Sequence, residues 1–291
     1  MTCPFLREAQ VKYCQTAAVR TMIPLAQAAS AQEKCSSSAH VTCQIYQEQP
    51  QPACDAGACP HLRGSLMQYC AAAPVTKFVP YSEALLSRCG NESYRYCELY
   101  LGMAHPEAAT ESTDEIPMPA WLHYAPNHMW LDVSGSGMCH AGIDAFLARV
   151  LGKVDAVTYV RLKGRQRPAV VLSASGSDFE IAFPNAFQLT SCNLYLRANP
   201  SRLTAEPYTG GWLFEGIPED GITASLREGT AAREWMQEEQ RRLNEYLQQV
   251  AGVAADGGSF APNLPALLDR DRMLALFHEF FSPYASEQRQ S

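Results

Sequence analysis

The rhythm of hydrophobic and polar residues changes along the chain, and each change marks a boundary. In residues 1–100 the apolar positions Leu6 and Val11, and then Leu62, Leu66 and Met67, recur at near-helical intervals. They predict a short helix between the first two cysteines of each half. Pro4 and Pro60, directly after Cys3 and Cys59, suit a first helical turn, where a missing N–H is harmless. A second short helix is predicted over 25–34 and again over 81–88, each delivering a cysteine, Cys35 or Cys89, near its end. Residues 101–120 hold small and acidic residues with three prolines and no periodicity, and read as a linker. From 121 to 220 the runs WLDVS, AVTYVRL, PAVVLSA, DFEIAF and NLYLRA are rich in Val, Ile, Tyr and Phe and are broken by Gly, Pro and Asn. They predict strands of a β-sandwich. A helical insert, AGIDAFLARVLG, puts Ile143, Phe146, Leu147 and Val150 on one face, with Gly152 as its stop. Residues 221–291 are helical: Trp235, Met236, Leu243, Tyr246, Leu247 and Val250 form one stripe, and Met273, Leu274, Phe277, Phe280 and Phe281 form another. These helices are expected to cover the chain's own β domain, with docking onto another subunit as the alternative.

The N-terminal hundred residues are one unit written twice. CPFLREAQVKYC, AVRTMIP and CSSSAHVTCQIY return as CPHLRGSLMQYC, PVTKFVP and CGNESYRYCELY. Cys3, Cys14, Cys35 and Cys43 match Cys59, Cys70, Cys89 and Cys97, and Pro4/Pro60, Leu6/Leu62, Arg7/Arg63, Tyr13/Tyr69 and Pro24/Pro80 repeat in step. The expected organisation is therefore 1–50 and 51–100 as two small helical four-cysteine units, 101–120 as linker, 121–220 as β domain and 221–291 as C-terminal helices. The fold class is α+β.

Composition narrows the chemistry. With 47% hydrophobic and 18% charged residues the chain is globular, and a net charge of −7 disfavours a nucleic-acid-binding surface. No apolar run reaches the roughly 20 residues of a membrane span, and the first residues lack signal-peptide character, so a cytoplasmic protein is expected. In that compartment eleven cysteines point to metal or cluster binding rather than disulfides. Neither quartet contains the close C-x2-C pairs usual for structural zinc. Ligands spaced by ten, about twenty and seven residues suit a larger object such as a 4Fe-4S cube, and Cys-Pro occurs beside such clusters. Two iron–sulfur clusters are the leading expectation and zinc the alternative. Cys54 reads as a linker thiol, and His40 and His61, unmatched between the copies, are not expected to be ligands.

A family resemblance lies in NHMWLDVSG, HAGIDAFLARVLGKVDAVTYVRLKG and NPSRLTAEPYTGGWLFEGIPED. These stretches resemble the glycine cleavage system H protein, a lipoyl-type hammerhead β fold, most specifically at PYTGGWL. In that family a lysine at a hairpin tip carries lipoate. Taking Pro184 as the proline that opens the next strand puts the tip in SASGSDFEIAFP and the lysine position near Gly176, yet no lysine follows residue 163. Lys153 and Lys163 lie elsewhere in the pattern. The resemblance thus implies the fold and a docking surface without lipoate. Trp130 and Trp212 are expected in the core, His128 and His140 as hydrogen-bonded structural residues, and Cys139 and Cys192 as small buried hydrophobes.

No nucleophile–base pair, P-loop, dinucleotide fingerprint or H-E-x-x-H is present, so an independent enzyme is not expected. The leading expectation is an iron–sulfur subunit that carries electrons within, or docks onto, a larger redox complex. The alternative is a structural adaptor whose zinc or clusters only hold its cysteine units.

Overall fold

In the computed structural model the segment between the first two cysteines of each copy is a strand, not a helix: β1 (Leu6–Cys14) and β3 (Leu62–Cys70). Residues 2–17, 22–24, 34–49, 57–75, 77–79, 88–104, 116–135, 137–160, 167–251 and 262–282 are described. A nine-residue helix is shorter than the roughly 12–15 residues an isolated helix needs, and it would have to find a tertiary partner. The same residues as strands find that partner in their own repeat. β1 and β3 pair antiparallel along their whole length, from Leu6 opposite Cys70 to Cys14 opposite Leu62. The prolines fit this arrangement. Leu6 N–H bonds the Cys3 carbonyl at 3.0 Å and Leu62 N–H bonds that of Cys59 at 3.0 Å, so each Cys-Pro opens a β-turn with proline at its favoured second position.

Short strands β2 (Met22–Pro24) and β4 (Lys77–Val79) flank the pair, giving the sheet order β2-β1-β3-β4. The helices predicted over 25–34 and 81–88 lie outside the described residues except at their ends, where Lys34–Ser36 and Arg88–Gly90 form 3-10 turns that carry Cys35 and Cys89. A second 3-10 turn, Ser38–Thr42, leads into α1 (Gln44–Glu48). Two compact units divide the chain, Met1–Tyr94 and Arg95–Ser291, so Cys97 falls just inside the second.

The second unit begins with α2 (Glu98–Ala104) and contains two antiparallel sheets. One has the order β10-β9-β8, built from β8 (Ala156–Tyr159), β9 (Ala169–Ala174) and β10 (Ser177–Ala182). The other has the order β11-β12-β7-β6-β5, built from β5 (His123–Tyr124), β6 (Met129–Val133), β7 (Cys139–Ile143), β11 (Phe187–Cys192) and β12 (Phe214–Pro218). Two expectations change here. The insert predicted from Ala141 is first a strand: β7 is buried along its length between β6 and β12, so its apolar run carries no alternation to distinguish it from a helix. The helix, α3 (Ala145–Leu151), starts only where the Asp144 carboxylate accepts the Leu147 N–H at 2.9 Å. NLYLRA is a 3-10 turn, Leu194–Arg197, in which only Leu196 is buried, and the short helix α4 (Arg202–Ala205) follows.

The two C-terminal helices, α5 (Gly229–Ala251) and α6 (Arg270–Phe281), complete this unit's own core. Met236, Leu243, Leu247, Met273, Leu276, Phe277, Phe280 and Phe281 are buried in one cluster with Leu131, Phe146, Leu172 and Phe179. No helix of the described residues is long and apolar enough to cross a membrane.

Candidate functional sites

The cysteine frame is built from turns and strand ends. Cys3 and Cys59 are buried and open the turns before β1 and β3, while Cys14 and Cys70 close those strands. Arg7 Nη1 donates to the Pro4 carbonyl at 2.6 Å and Arg63 Nη1 to that of Pro60 at 3.1 Å, which explains why this arginine repeats. Cys43 caps α1, and Cys97 immediately precedes α2. The ten described cysteines, a set that leaves out Cys54, are thiols. Among the described residues, no group of three or more His, Cys, Asp or Glu side chains is arranged to hold a metal.

The backbone nevertheless sorts the cysteines. Cys59 N–H bonds the Cys35 carbonyl at 2.8 Å, and Cys3 N–H bonds that of Cys89 at 2.9 Å. Gln15 N–H reaches the His61 carbonyl and Ala71 N–H that of Phe5, both at 2.9 Å, which ties the end of each strand to the turn of the other copy. His61 makes structural contacts here. Its Nδ1 is 2.9 Å from Thr16 Oγ1, its Nε2 is 2.8 Å from the Gln49 carbonyl, and its ring lies edge-on to Tyr46, which also meets His40.

In the second unit the buried histidines are held as packing and hydrogen-bonding groups. His128 is fully buried at φ +61°, stacked between Phe146 and Trp235 with ring centroids at 4.2 and 4.7 Å. Its Nδ1 is 2.8 Å from Asp144 Oδ2, and Nε2 is 3.7 Å from Glu239 Oε2 on α5. Burial alone would push its pKa down, but the two carboxylates outweigh burial and raise it, which favours the protonated ring. Asp144 and Glu239 were not foreseen, although an aspartate directly before AFLARVLG is a legible helix-capping signal. His140 stacks on Tyr96 at 4.1 Å and meets Trp212 edge-on, while Tyr96 donates to Asp132 Oδ2 at 2.6 Å. Cys139 is a core residue whose thiol is pushed up to about 12, chiefly by burial, and burial raises that of Cys192 as well. Neither thiol is a nucleophile at neutral pH.

The hairpin tip is the third candidate. β9 and β10 are joined by Ser175 and Gly176 alone, both at positive φ (+49° and +78°), the geometry of a tight primed turn. The Asp155 carboxylate accepts the Ser175 N–H at 3.2 Å, and Ser173 Oγ donates to Asp178 at 2.6 Å. The tip therefore projects a serine and a glycine and no amine. Lipoate joined through an amide does not fit these residues.

Fold and tip together define a small two-sheet β module of lipoyl-domain type. Comparison with known proteins names it more closely. The glycine cleavage system H protein of Hydrogenovibrio crunogenus is 30% identical over 108 residues, 35% of this chain and 82% of that one. That of Deinococcus deserti is 32% identical over 110 residues, 35% of this chain and 86% of the relative. The crystal structure of the H protein from Mycobacterium marinum aligns over 42% of this chain and 98% of its own, at 18% identity and a TM-score of 0.34. No family model matches the chain. Through its β module the chain belongs to the glycine cleavage system H protein family, with a tip that lacks the lipoyl lysine.

Proposed function

We propose that this protein is a non-lipoylated H-protein-like subunit whose two cysteine quartets hold iron–sulfur clusters, 4Fe-4S in type, and that it carries electrons within, or docks onto, a larger redox complex. The observation that carries this reading is the pairing of a duplicated eight-cysteine frame with a carrier module whose tip has no attachment amine. Cys3, Cys14, Cys35, Cys43, Cys59, Cys70, Cys89 and Cys97 are the ligands, and the β module supplies the surface that meets the partner. It is an accessory subunit rather than an enzyme, and it works in the cytoplasm. When bound, a cluster supplies one-electron chemistry at a centre whose potential is set by its thiolates and by the N–H groups around them.

Among the described residues of the first unit the buried apolar side chains are Cys3, Val11, Cys59, Pro60, Ala72 and Val79, a small set for a four-stranded sheet, and this favours a metal as a further source of stability. The same observation favours a second reading, in which zinc holds the cysteine units and the protein is an adaptor without redox work. Anaerobic purification separates the two. A brown protein with broad absorbance near about 400 nm and matched iron and sulfide is expected for clusters, whereas a colourless protein with stoichiometric zinc would replace the electron carrier by the adaptor.

A further inference from the structure

We propose that the two copies exchange a cysteine, so that each metal centre is built from both repeats: Cys59 of the second copy joins Cys14, Cys35 and Cys43 of the first, and Cys3 of the first joins Cys70 and Cys89 of the second. This inference rests on the metal reading above and goes further by assigning which thiols share a centre.

The strand register forces the exchange. Because β1 and β3 run antiparallel with Cys14 opposite Leu62 and Leu6 opposite Cys70, the closing cysteine of each strand lies beside the opening turn of the other copy. Within its own strand, Cys3 is carried away from Cys14 by the whole length of β1, on the order of 30 Å at about 3.4 Å per residue. Cys14, by contrast, is opposite Leu62, three residues beyond Cys59, and opposed residues on antiparallel strands lie about 4.5–5.5 Å apart, so Cys14 stands beside the turn that Cys59 opens. Four sulfurs around a zinc ion at about 2.3 Å need their cysteines to be neighbours in space, which the length of β1 denies to Cys3 and Cys14.

The remaining contacts agree with the same sorting and are related by the repeat. The Cys59 N–H is bonded to Cys35 and the Cys3 N–H to Cys89, so each opening cysteine touches the third cysteine of the opposite copy. Gln15, next to Cys14, is bonded to His61, two residues beyond Cys59, and Ala71 is bonded in the matching way to Phe5. Cys43 joins the first set through the compact run from Lys34 to Glu48, where Cys43 N–H bonds the His40 carbonyl at 2.9 Å and Tyr46 packs on His61 of the second copy. Metal binding would require the Cys14, Cys35, Cys43 and Cys59 side chains to turn toward one point, because among the described residues no three such side chains are so arranged.

The arrangement is tested with double variants of the full chain, read by iron, zinc and sulfide per protein. Cys35→Ser with Cys59→Ser should remove one centre and leave roughly half of the metal, whereas Cys35→Ser with Cys3→Ser should remove both, because the ligands then belong to different centres. The reverse result, with Cys35 and Cys3 behaving as one centre, would overturn the exchange. A second measurement does not depend on metal retention. Diamide oxidation of the demetallated full chain, followed by peptide mapping, should join Cys35 to Cys59 and Cys3 to Cys89, two thiols giving one disulfide as diamide is reduced to its hydrazine. Cross-links of Cys3 to Cys35 and of Cys59 to Cys89 would overturn the exchange even where the variants fail to fold. An unaltered chain that carries no stoichiometric metal would instead sink the metal reading and the shared centres with it, while the disulfide map would still report how the two copies pair.

Discussion

At the scale of single residues, the positions that mark the family are held by packing rather than by chemistry. Gly142 is glycine because a Cβ there would lie 2.7 Å from the Trp130 ring, and Trp130 Nε1 in turn donates to the Pro207 carbonyl at 3.0 Å. The Tyr208 hydroxyl accepts the Ala145 N–H and donates to the Pro117 carbonyl, and Asn193 donates to the carbonyls of Gly210 and Trp212. The PYTGGWL motif is thus a clamp that fixes the start of α3 and the edge of the five-stranded sheet. Gly142→Ala should destabilise the second unit by about 1–3 kcal/mol through overpacking, measured by urea unfolding. His128 adds a pH dependence. Its folded pKa is raised above the unfolded value of about 6.5, so its contribution is fully present below that value and is lost as pH rises through the folded pKa. Urea titrations on the alkaline side should show falling stability, and His128→Asn should flatten the slope. Asp144→Ala removes both the helix cap and a buried hydrogen-bond partner of His128, and should cost about 3–5 kcal/mol in the same assay.

At the scale of elements, what the sequence made legible was whatever repeats or has long period. α5 and α6 were legible because their apolar stripes run for several turns. Strands β9 and β10 were legible from their Val-, Ile- and Phe-rich runs, and the tip of their hairpin from the family resemblance by counting back from Pro184. β7 was not, because a central strand buried on both sides loses its alternation. β1 and β3 were misread for another reason: Leu6, Val11 and Leu66 fit a helical spacing, and only pairing with the second copy, a contact far along the chain, makes the strand the better outcome. The cysteine frame could be read from the repeat, but the register that sorts it could not, since spacing within one copy carries no information about the other. The helix α6 allows a test of who covers the core. Phe280 is fully buried, with Tyr246 edge-on and the Arg242 guanidinium 4.0 Å from its ring centroid. Phe280→Ala should therefore destabilise the isolated protein by about 3–5 kcal/mol by thermal or urea unfolding. A helix kept for a partner would show no such loss.

At the scale of the whole molecule, the two compact units differ in what holds them. The second unit buries a continuous apolar cluster that runs from Ile116 to Phe281, enough to fold on burial alone. The first has few buried apolar side chains among its described residues, and its four-stranded sheet joins the repeats edge to edge. If metal supplies the missing stabilisation, its removal must act on one unit and spare the other, because ligand binding stabilises only the structure that contains the ligands. The expected result is two unfolding transitions in the metallated protein. A strong chelator, with reductant present to keep the thiols open, should abolish the first transition and leave the second within a degree or so, since no ligand lies in the β module proper. Amide hydrogen exchange on the same samples locates the effect: protection of Leu6–Cys14 and Leu62–Cys70 should collapse on chelation, while that of Met129–Val133 and Cys139–Ile143 persists. Equal protection of the first pair of strands with and without metal would mean that strand pairing alone holds the repeats, and the purely structural reading of the cysteines would fall while the electron-carrying one would stand.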